Sequence, residues 1–524
     1  MATITQPIAV PRPTTGPDLR ALIGVAAVLL GTLTSLLNSR LTDIGLADLR
    51  GALGVGMDEA SWVTTAYLVA EVAAIPSAVW LRSILSPARG VLLGALIFTI
   101  ASLAAPFSPS LNVLICVQAI RGLSAGVLIP MAYAVVMRHL PQHLRLYGLS
   151  LYALVSALTP SVAVWIEGWI VSHLSWEYLF WINVVPGGLT LLAGAYGLAS
   201  EPIRFLRFRR HDAFGLLALS LGLAALVAAL DQGNRLDWLE SGLIVGLGAS
   251  SALLTAYVGH ALRHSDPVVS VRLLARRNIG LGLLLMFVMR VALMSSAFLL
   301  PQYLVHVQGY RSLESGSLFL LSALPQVLLA PLVARLCYAI DPRNLLAFGM
   351  ILYGAGVLMM SNLTHLWAAD QIMPALLVQS IAAPFTAVPL MVLITEDISV
   401  REIPWIASLV HIVRTVGTAI GLASIGTLTR VREQVHSSLL GLHVEKGTAE
   451  TQGRIDAFAQ FLDPHAAGSI DAVAQSTVML ARTVQREALV LAYIDSFTVI
   501  GLGLLGAGLV TLFMRRPPLP GRFL

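Results

Sequence analysis

The sequence contains few charged residues and a single lysine. Only 12% of its 524 residues are charged, whereas a soluble domain has about 25%. The lysine, Lys446, lies in no G-x-x-x-x-G-K-[ST] motif, so the sequence lacks the phosphate-binding loop of ATP-driven pumps. No G-x-S-x-G nucleophile elbow is expected, because the match at 122–126 lies inside an apolar run. No H-E-x-x-H motif occurs, and the two cysteines, Cys116 and Cys337, lie in apolar stretches. We therefore expect neither an enzyme, nor a cofactor or metal site, nor a disulfide framework.

Hydrophobic residues, by contrast, make up 57% of the chain and are arranged in long runs. A helix of about 20 apolar residues spans a bilayer. Fourteen runs of this kind occur, at 20–46, 59–81, 88–107, 110–137, 146–171, 178–199, 213–231, 240–262, 279–303, 315–338, 344–362, 370–395, 403–428 and 489–514. They predict an all-α polytopic membrane protein with fourteen transmembrane helices.

Arginine is concentrated in every second loop between these runs. Cytoplasmic loops of membrane proteins carry an excess of arginine and lysine, so the alternation predicts that both termini are cytoplasmic. The loops placed inside contain Arg82 and Arg89, Arg138 and Arg145, the basic stretches 204–210 and 263–277, Arg343 and Arg401. Because the net charge of +5 comes from arginines in such short loops, it does not indicate nucleic-acid binding.

One connection, 431–488, is long and polar. Two patches within it, near 454–462 and 470–485, have helical periodicity. The arginine alternation places this segment on the outer side of the membrane. We therefore expect a small extramembrane helical hairpin between the last two spans.

Six stretches carry motifs that occur in a fixed order along the chain. They are "SPSLNVLICVQAIRGLSAGVLIP" (108–130), "LSWEYLFWINVVPGG" (174–188), "ALDQGNRLDWLES" (229–241), "DPVVSVRLLARRNIGLG" (266–282) followed by "LLPQYLVHVQGYRSLESG" (299–316), "SLVHIVRTVGTAIG" (408–421) and "REALVLAYIDSF" (486–497). Together they resemble the fourteen-helix drug:proton antiporter branch of the major facilitator superfamily, the EmrB- and QacA-like exporters.

The resemblance implies two six-helix bundles around a central cavity, joined by two extra central helices and working by alternating access. The implied division of the chain is a disordered cytoplasmic tail 1–19, an N-terminal bundle 20–199, two linker helices within 200–277, a C-terminal bundle 278–514 with the external insertion 431–488, and a cytoplasmic tail 515–524. It further implies a location in the bacterial inner membrane and energy from the proton gradient, without a cofactor. Besides the bilayer and a small-molecule substrate, the implied partners are the periplasmic adaptor and outer-membrane channel that serve Gram-negative relatives.

The sequence departs from this family at functional motifs. Asn38 stands where the first helix usually has an aspartate, and Gln118 and Arg121 appear in the reverse of the usual order. In the fifth helix, Glu167 occupies a glycine position of the antiporter signature. These changes leave the predicted fold intact, but they weaken the inference of proton coupling.

Four ionisable residues lie near the middle of predicted helices: Glu71, Arg121, Arg290 and Arg414. A charge at this depth costs about 2.5–3.5 kcal/mol on insertion scales, so these residues should face a cavity or one another. Glu71 is either a titratable carboxylate that couples transport to protons or half of a permanent ion pair with Arg121. Arg121 and Arg290 either give the cavity a positive charge suited to an anionic or zwitterionic amphiphile, or are paired internally.

Glu167 lies about 8 Å from the outer end of the fifth helix, at 1.5 Å per residue. It is either an outer-gate carboxylate or a side chain that reaches into a solvated outer vestibule. Asp495 lies near the outer end of the last helix, where a vestibule role is also expected.

The predicted functional residues fall into three groups. Glu71 and Glu167 are the candidates for proton coupling. The residues expected to line the cavity or contact the substrate are Asn38, Gln118, Arg121, Arg290 and Gln379. Those expected to gate the path or stabilise the helices are Arg82, Arg89, Asp341, Arg343, His411, Arg414 and Asp495.

The resemblance favours a secondary active transporter that exports amphipathic organic compounds in exchange for protons. The alternative is a dedicated exporter of one anionic or zwitterionic metabolite, such as a siderophore or an aromatic acid, because of the central arginines. A third, weaker interpretation is a scaffold or sensor that no longer transports, because the signature motifs are altered.

Overall fold

The computed structural model describes residues 19–44, 49–51, 54–198, 212–233, 235, 238–395, 398–444, 448–462 and 470–516. These residues form helices joined by turns and short irregular connections, and none of them belongs to a strand. Apart from Leu19 and residues 515–516, the two predicted tails lie outside these ranges.

Within the described residues, fourteen helices are long and apolar enough to cross a membrane, as predicted. Each of them overlaps one of the fourteen apolar runs. We number them α1 (Leu19–Ile44), α2 (Met57–Ile84), α3 (Pro87–Ala104), α4 (Leu111–His139), α5 (Gln142–His173), α6 (Tyr178–Trp181, continued by Val184–Gly197), α7 (Ala213–Gly233), α8 (Ser241–Arg263), α9 (Arg277–His306), α10 (Ser312–Ser322, continued by Leu324–Ala339), α11 (Pro342–Leu358), α12 (Ala369–Thr395), α13 (Ile403–Gly441) and α14 (Ile470–Val510).

Helix beginnings at the arginine-bearing loops carry local capping signals. Oγ of Ser86 accepts a hydrogen bond from the backbone N–H of Arg89 at 3.3 Å, and a proline follows Ser86 at the first position of α3. Asp341 caps α11 in the same way, again with a proline at the first helical position. A polar cap followed by proline satisfies the free N–H groups of a helix and preorganises its first turn.

The last two spanning helices extend far beyond the membrane. α13 has 39 residues and α14 has 41, so they measure about 58 and 61 Å, about twice the 30 Å hydrocarbon thickness. A short helix, Ala449–Leu462, packs against α14. The predicted extramembrane hairpin is therefore helical. Its second helical patch is the beginning of α14, and its first residues continue α13, because no proline or glycine interrupts either stretch.

We call residues 431–488 the hairpin, and the end of the bundle that carries it the hairpin end. The opposite end, where Arg82, Arg138, Arg276 and Arg343 lie near the helix termini, is the arginine-rich end.

The spanning helices form two groups, α1–α6 and α9–α14, that meet along a seam. Across the seam, α5 packs against α10 and α12, and α13 packs against α2 and α4. The two extra helices lie beside the seam: α7 packs against α2, α8 and α13, whereas α8 contacts mainly α7. Protein buries only 17% of the most apolar part of α8, so most of that helix faces lipid.

Two glycines of α4 bring this helix against the backbone of α2 at Glu71. A Cβ atom on Gly126 would lie 2.1 Å from the carbonyl oxygen of Glu71, and one on Gly122 would lie 2.2 Å from that of Tyr67. Only glycine fits at such distances. The spacing is that of the G-x-x-x-G motif, which lets membrane helices approach closely. This contact sets the height of Glu71 on the seam.

A glycine of α10 makes the close contact with α5 across the seam. A Cβ atom on Gly316 would lie 2.6 Å from Cα of Trp165 and 2.9 Å from the carbonyl oxygen of Val164. In the family resembled above, α5 itself carries glycines in this region. Here the bulkier residues of α5 pack against a glycine of the opposite helix.

We expect Gly126→Ala to destabilise the protein. The added methyl group would meet the Glu71 carbonyl oxygen, and overpacking of this kind costs about 1–3 kcal/mol. The matched control is Gly503→Ala in α14, where a Cβ atom has open space and alanine is the better helix former by about 1 kcal/mol. Thermal unfolding in detergent should show a lower midpoint for Gly126→Ala only. Equal midpoints would contradict the close packing of α4 on α2.

Candidate functional site

A buried cluster of three ionisable residues crosses the seam. Oε1 of Glu71, on α2, lies 3.2 Å from Nε2 of His411 and 3.5 Å from Nη2 of Arg414, both on α13. Nη2 of Arg414 also lies 2.5 Å from Nδ1 of His411. The Glu71 side chain is 3% exposed and that of His411 is 0% exposed. We call these three residues the seam cluster; it joins the two helix groups at their buried interface.

The alternative in which Glu71 pairs with Arg121 is wrong. Arg121, on α4, is fully buried and donates hydrogen bonds to neutral oxygens. Its Nε donates to Oγ of Ser102 at 3.0 Å, its Nη1 to Oε1 of Gln118 at 2.6 Å, and its Nη2 to Oδ1 of Asn38. Among the described residues Arg121 has no carboxylate partner, because the carboxylate of Glu71 faces α13 instead.

Aromatic rings complete the surroundings of Arg121. The rings of Phe98 and Phe180 lie 5.2 and 5.0 Å from its guanidinium carbon, within the range of cation–π attraction. Since Arg121 is 0% exposed, it faces no cavity in this conformation. The expectation that it lines the path together with Asn38 and Gln118 is therefore not met: these residues form a polar cluster inside the first helix group.

Three small cavities follow one another along the seam. The first, of about 80 Å³, is lined by Glu71, Asp231, Arg290 and Arg414, among others. The second, also about 80 Å³, shares Arg290 and Arg414 with the first, and the third, of about 50 Å³, is lined in part by Gln379. Pockets for drug-sized ligands measure about 300–1,000 Å³. Each of these three cavities is therefore too small for such a molecule in this conformation.

Two of the predicted cavity residues, Arg290 and Gln379, do line these cavities. Nε of Arg290, on α9, donates to Oγ1 of Thr418 on α13 at 3.2 Å. Gln379, on α12, accepts a hydrogen bond from Oγ of Ser296 at 2.6 Å and donates one to the carbonyl of Gly356 at 3.2 Å. These bonds hold both polar side chains in place within the second helix group, beside the path.

Glu167 lies inside the protein. Only 1% of its surface is exposed, so the alternative of a side chain reaching into an open vestibule is wrong for this conformation. It follows Trp165 by two residues, close to the contact of α5 with Gly316. Its role as an outer-gate carboxylate stays a prediction.

Asp231, near the end of α7, is a site residue that the sequence did not predict. It lines the same cavity as Glu71 and Arg414. Oγ1 of Thr65, on α2, donates to Oδ2 of Asp231 and accepts from Nε2 of Gln232 at 2.6 Å. An extra helix thus contributes a carboxylate to the path. In the sequence Asp231 marks only the end of an apolar run, and its inward direction follows from the packing of α7 on α2.

Ion pairs join the loops at the arginine-rich end. Oδ2 of Asp341 lies 2.8 Å from Nη2 of Arg343 and 3.4 Å from Nε of Arg516, and Nη1 of Arg343 donates to the carbonyl of Met514 at 3.0 Å. Burial alone would raise the pKa of the Asp341 carboxyl, but the hydrogen bonds and charge of Arg343 hold that pKa below its ordinary value. Asp341 therefore stays charged at neutral pH and fixes the end of the last span to the start of α11.

The remaining predicted gating residues lie away from the seam cluster. Arg82 is in the last turn of α2, about 16 Å along the helix from Glu71, and Arg89 is in the first turn of α3. Asp495, on α14, lies 2.5 Å from Nε of Arg432 and 2.7 Å from Nε2 of His436, measured from its Oδ2 atom. It joins α13 to α14 where the hairpin begins.

Three potential metal ligands meet at the arginine-rich end of the two extra helices. Donor atoms of Asp212, His260 and His264 lie within 4.8 Å of one another. Asp212 already accepts a hydrogen bond from the N–H of Gly215 at 2.8 Å, and its Oδ1 lies 2.7 Å from Nε2 of His260. These bonds tie the beginning of α7 to the end of α8, about 28 Å along α7 from Asp231. We assign the group a structural role.

Known proteins share this architecture. The family model of the Major Facilitator Superfamily matches residues 28–422. The chain is 26% identical over 502 residues to the multidrug export protein EmrB of Haemophilus influenzae, covering 94% of this chain and 95% of that protein. It is 27% identical over 424 residues to EmrB of Escherichia coli K12, covering 79% and 81%. A solved structure of a proton dependent oligopeptide transporter gives a TM-score of 0.60 at 12% identity, covering 94% of this chain and 98% of that one.

The chain therefore belongs to the major facilitator superfamily. It is a transporter homologous to the EmrB multidrug exporters and not an enzyme. With fourteen spanning helices among its described residues, it is a multi-pass protein of the bacterial inner membrane. The resemblance read from the six motifs is confirmed.

We expect Asn38→Asp to stabilise the protein. The new carboxylate would accept the hydrogen bond that Arg121 now donates to an amide oxygen, and hydrogen bonds between charged partners are roughly twice as strong as neutral ones. The control is Asn183→Asp, because Nδ2 of Asn183 donates to the same Asn38 oxygen at 3.3 Å and an aspartate would lose that donor. At pH 7 the unfolding midpoint should rise for Asn38→Asp and fall for Asn183→Asp. A lower midpoint for Asn38→Asp would show that Arg121 needs no carboxylate.

Proposed function

We propose that the protein exports amphipathic organic compounds in exchange for protons, by alternating access, and that Glu71 carries the proton. The observation that supports this is the seam cluster, in which a carboxylate of one helix group is paired with a histidine and an arginine of the other. A carboxylate with partners across the seam can link its own protonation to the separation of the two groups.

The charge of Glu71 controls the proposed transport cycle. While Glu71 is ionised, its attraction to Arg414 holds α2 against α13, and this attraction is strong because the cluster is buried away from water. A proton that binds Glu71 removes the negative charge, and the two helices can then separate at this height. The proton binds from the outer side as the exported molecule leaves there. After access has switched to the cytoplasm, the proton is released on that side and the pair with Arg414 forms again.

We place the arginine-rich end in the cytoplasm, following the positive-inside rule. The hairpin then projects on the outer side, where α13 and α14 extend well beyond the bilayer. In a bacterium with two membranes, a periplasmic adaptor leading to an outer-membrane channel would meet the protein there. The EmrB relatives are multidrug export proteins, and this supports export as the direction of transport.

The composition of the second seam cavity favours a broad range of substrates. Its walls include Met286, Met289 and Met391, whose flexible thioether side chains adapt to ligands of different shape. Arg290 and Arg414 add positive charge to one side of the same cavity. That charge favours the second candidate function, export of one anionic or zwitterionic metabolite such as an aromatic acid or a siderophore.

We expect Glu71→Gln to abolish proton coupling and to leave substrate exchange intact. Glutamine has nearly the same shape as glutamate, but its amide does not titrate. In proteoliposomes, an imposed pH gradient should drive wild-type transport of a cationic probe, ethidium, or an anionic one, fluorescein. In Glu71→Gln the gradient-driven transport should fall to background, while exchange of the same probe without a gradient continues.

The matched control for this experiment is Glu59→Gln, at the exposed beginning of the same helix, which should transport as the wild type does. Transport of fluorescein alone would support the dedicated anion exporter over the multidrug exporter. If the gradient drives Glu71→Gln as fast as the wild type, the coupling residue is another carboxylate, and the proposal for Glu71 fails.

A further inference from the structure

A cavity of about 700 Å³ lies at the hairpin end of the second helix group, outside the seam. Its walls come from three helices: the last turns of α9 and the parts of α13 and α14 that pass into the hairpin. Its volume falls within the range of about 300–1,000 Å³ that is usual for small-molecule pockets. It shares no lining residue with the three seam cavities. We call it the hairpin cleft.

Positive charge dominates the walls of the hairpin cleft. Three arginines line it, Arg430 on α13 and Arg482 and Arg486 on α14, against one lining carboxylate, Glu433. Nη2 of Arg486 also lies 3.3 Å from Oε1 of Glu487, which is not part of the lining. Arg482 and Arg486 are four residues apart, so both lie on the same face of α14. Guanidinium groups bind carboxylate and phosphate oxygens in a bidentate fashion, with charge-assisted hydrogen bonds. The cleft is therefore suited to an anionic group.

Apolar side chains line the hairpin cleft at the depth where the hydrocarbon layer ends. Phe298 is 21 residues from the start of α9 and Leu489 is 21 residues from the end of α14, so each lies about 32 Å from the arginine-rich end of its helix. A hydrocarbon layer about 30 Å thick would end near these two side chains. Arg486 and Arg482 are one and two turns further out, at headgroup level.

From this volume, charge and depth we infer that the hairpin cleft binds an anionic amphiphile. Its carboxylate or phosphate headgroup lies between Arg430, Arg482 and Arg486, and its apolar tail lies against Phe298 and Leu489. The ligand is either an anionic lipid from the bilayer or an amphipathic anion taken from water. The occupied cleft would hold α9, α13 and α14 together at the base of the hairpin. This site is separate from the seam and does not depend on the proposed export cycle.

Binding to the full-length protein in detergent can be measured by native mass spectrometry with three probes: dioleoylphosphatidylglycerol, oleate and dioleoylphosphatidylcholine. The wild type should retain phosphatidylglycerol or oleate in preference to phosphatidylcholine. The double variant Arg482→Gln/Arg486→Gln should bind the anionic probe about tenfold more weakly, since each guanidinium supplies a charge-assisted hydrogen bond. Preference for phosphatidylglycerol over oleate would assign the site to a lipid, and the reverse preference to a soluble amphiphile.

The control variant is Arg454→Gln, an exposed arginine on the hairpin helix Ala449–Leu462 that does not line the cleft. It should bind the anionic probe as the wild type does. Arg430 lines the cleft from α13. The variant Arg430→Gln should therefore weaken binding in the same way as the double variant. Equal retention of phosphatidylcholine, or unchanged binding in both cleft variants at unchanged thermal midpoint, would overturn the inference.

Discussion

The carboxylate of Glu71 lies deep in the membrane-spanning bundle, and its partners, His411 and Arg414, belong to the opposite helix group. A charge at this depth must be paired inside the protein, because lipid tails provide neither a counter-charge nor a hydrogen bond. Any movement of one group against the other therefore changes the surroundings of Glu71. Two contacts hold Glu71 in position. The glycines of α4 pack against the backbone of α2 at Glu71, and α7 packs against α2 beside the seam.

Two buried arginines, Arg121 and Arg414, differ in what surrounds them. Arg121 is held by neutral oxygens and aromatic rings within one helix group, so movement along the seam leaves its partners in place. Arg414 instead faces a titratable carboxylate from the other group. The presence of asparagine at position 38 deprives Arg121 of a group that could exchange protons. This division favours α2 and α13, rather than α1 and α4, as the site of the proposed proton coupling.

The sequence predicts the fold better than the site, for a physical reason. The length of an apolar run is a local property, and it predicted the fourteen spans found among the described residues. Depth along a helix is also local, and it placed Glu71 and Arg414 near the centre. Which side chains meet is not local: Glu71 and His411 are 340 residues apart, and their contact depends on the rotation and packing of α2 and α13. The close contact of Gly316 with α5 likewise appears only when both helices are placed.

The extra helix α7 packs against both α2 and α13, the two helices that the seam cluster joins. If these two helices separate, α7 can stay packed against only one of them. Its bond to α2 runs through Thr65 and the carboxylate of Asp231, whereas the turn after it is bonded to α13 by Nε1 of Trp238, which donates to Oγ1 of Thr427 at 3.0 Å. A hydrogen bond to a charged group contributes about 1.5–3 kcal/mol and a neutral one about 1 kcal/mol. The contact with α13 is thus the weaker of the two, and α7 should move with the first helix group, carrying Asp231 with Glu71.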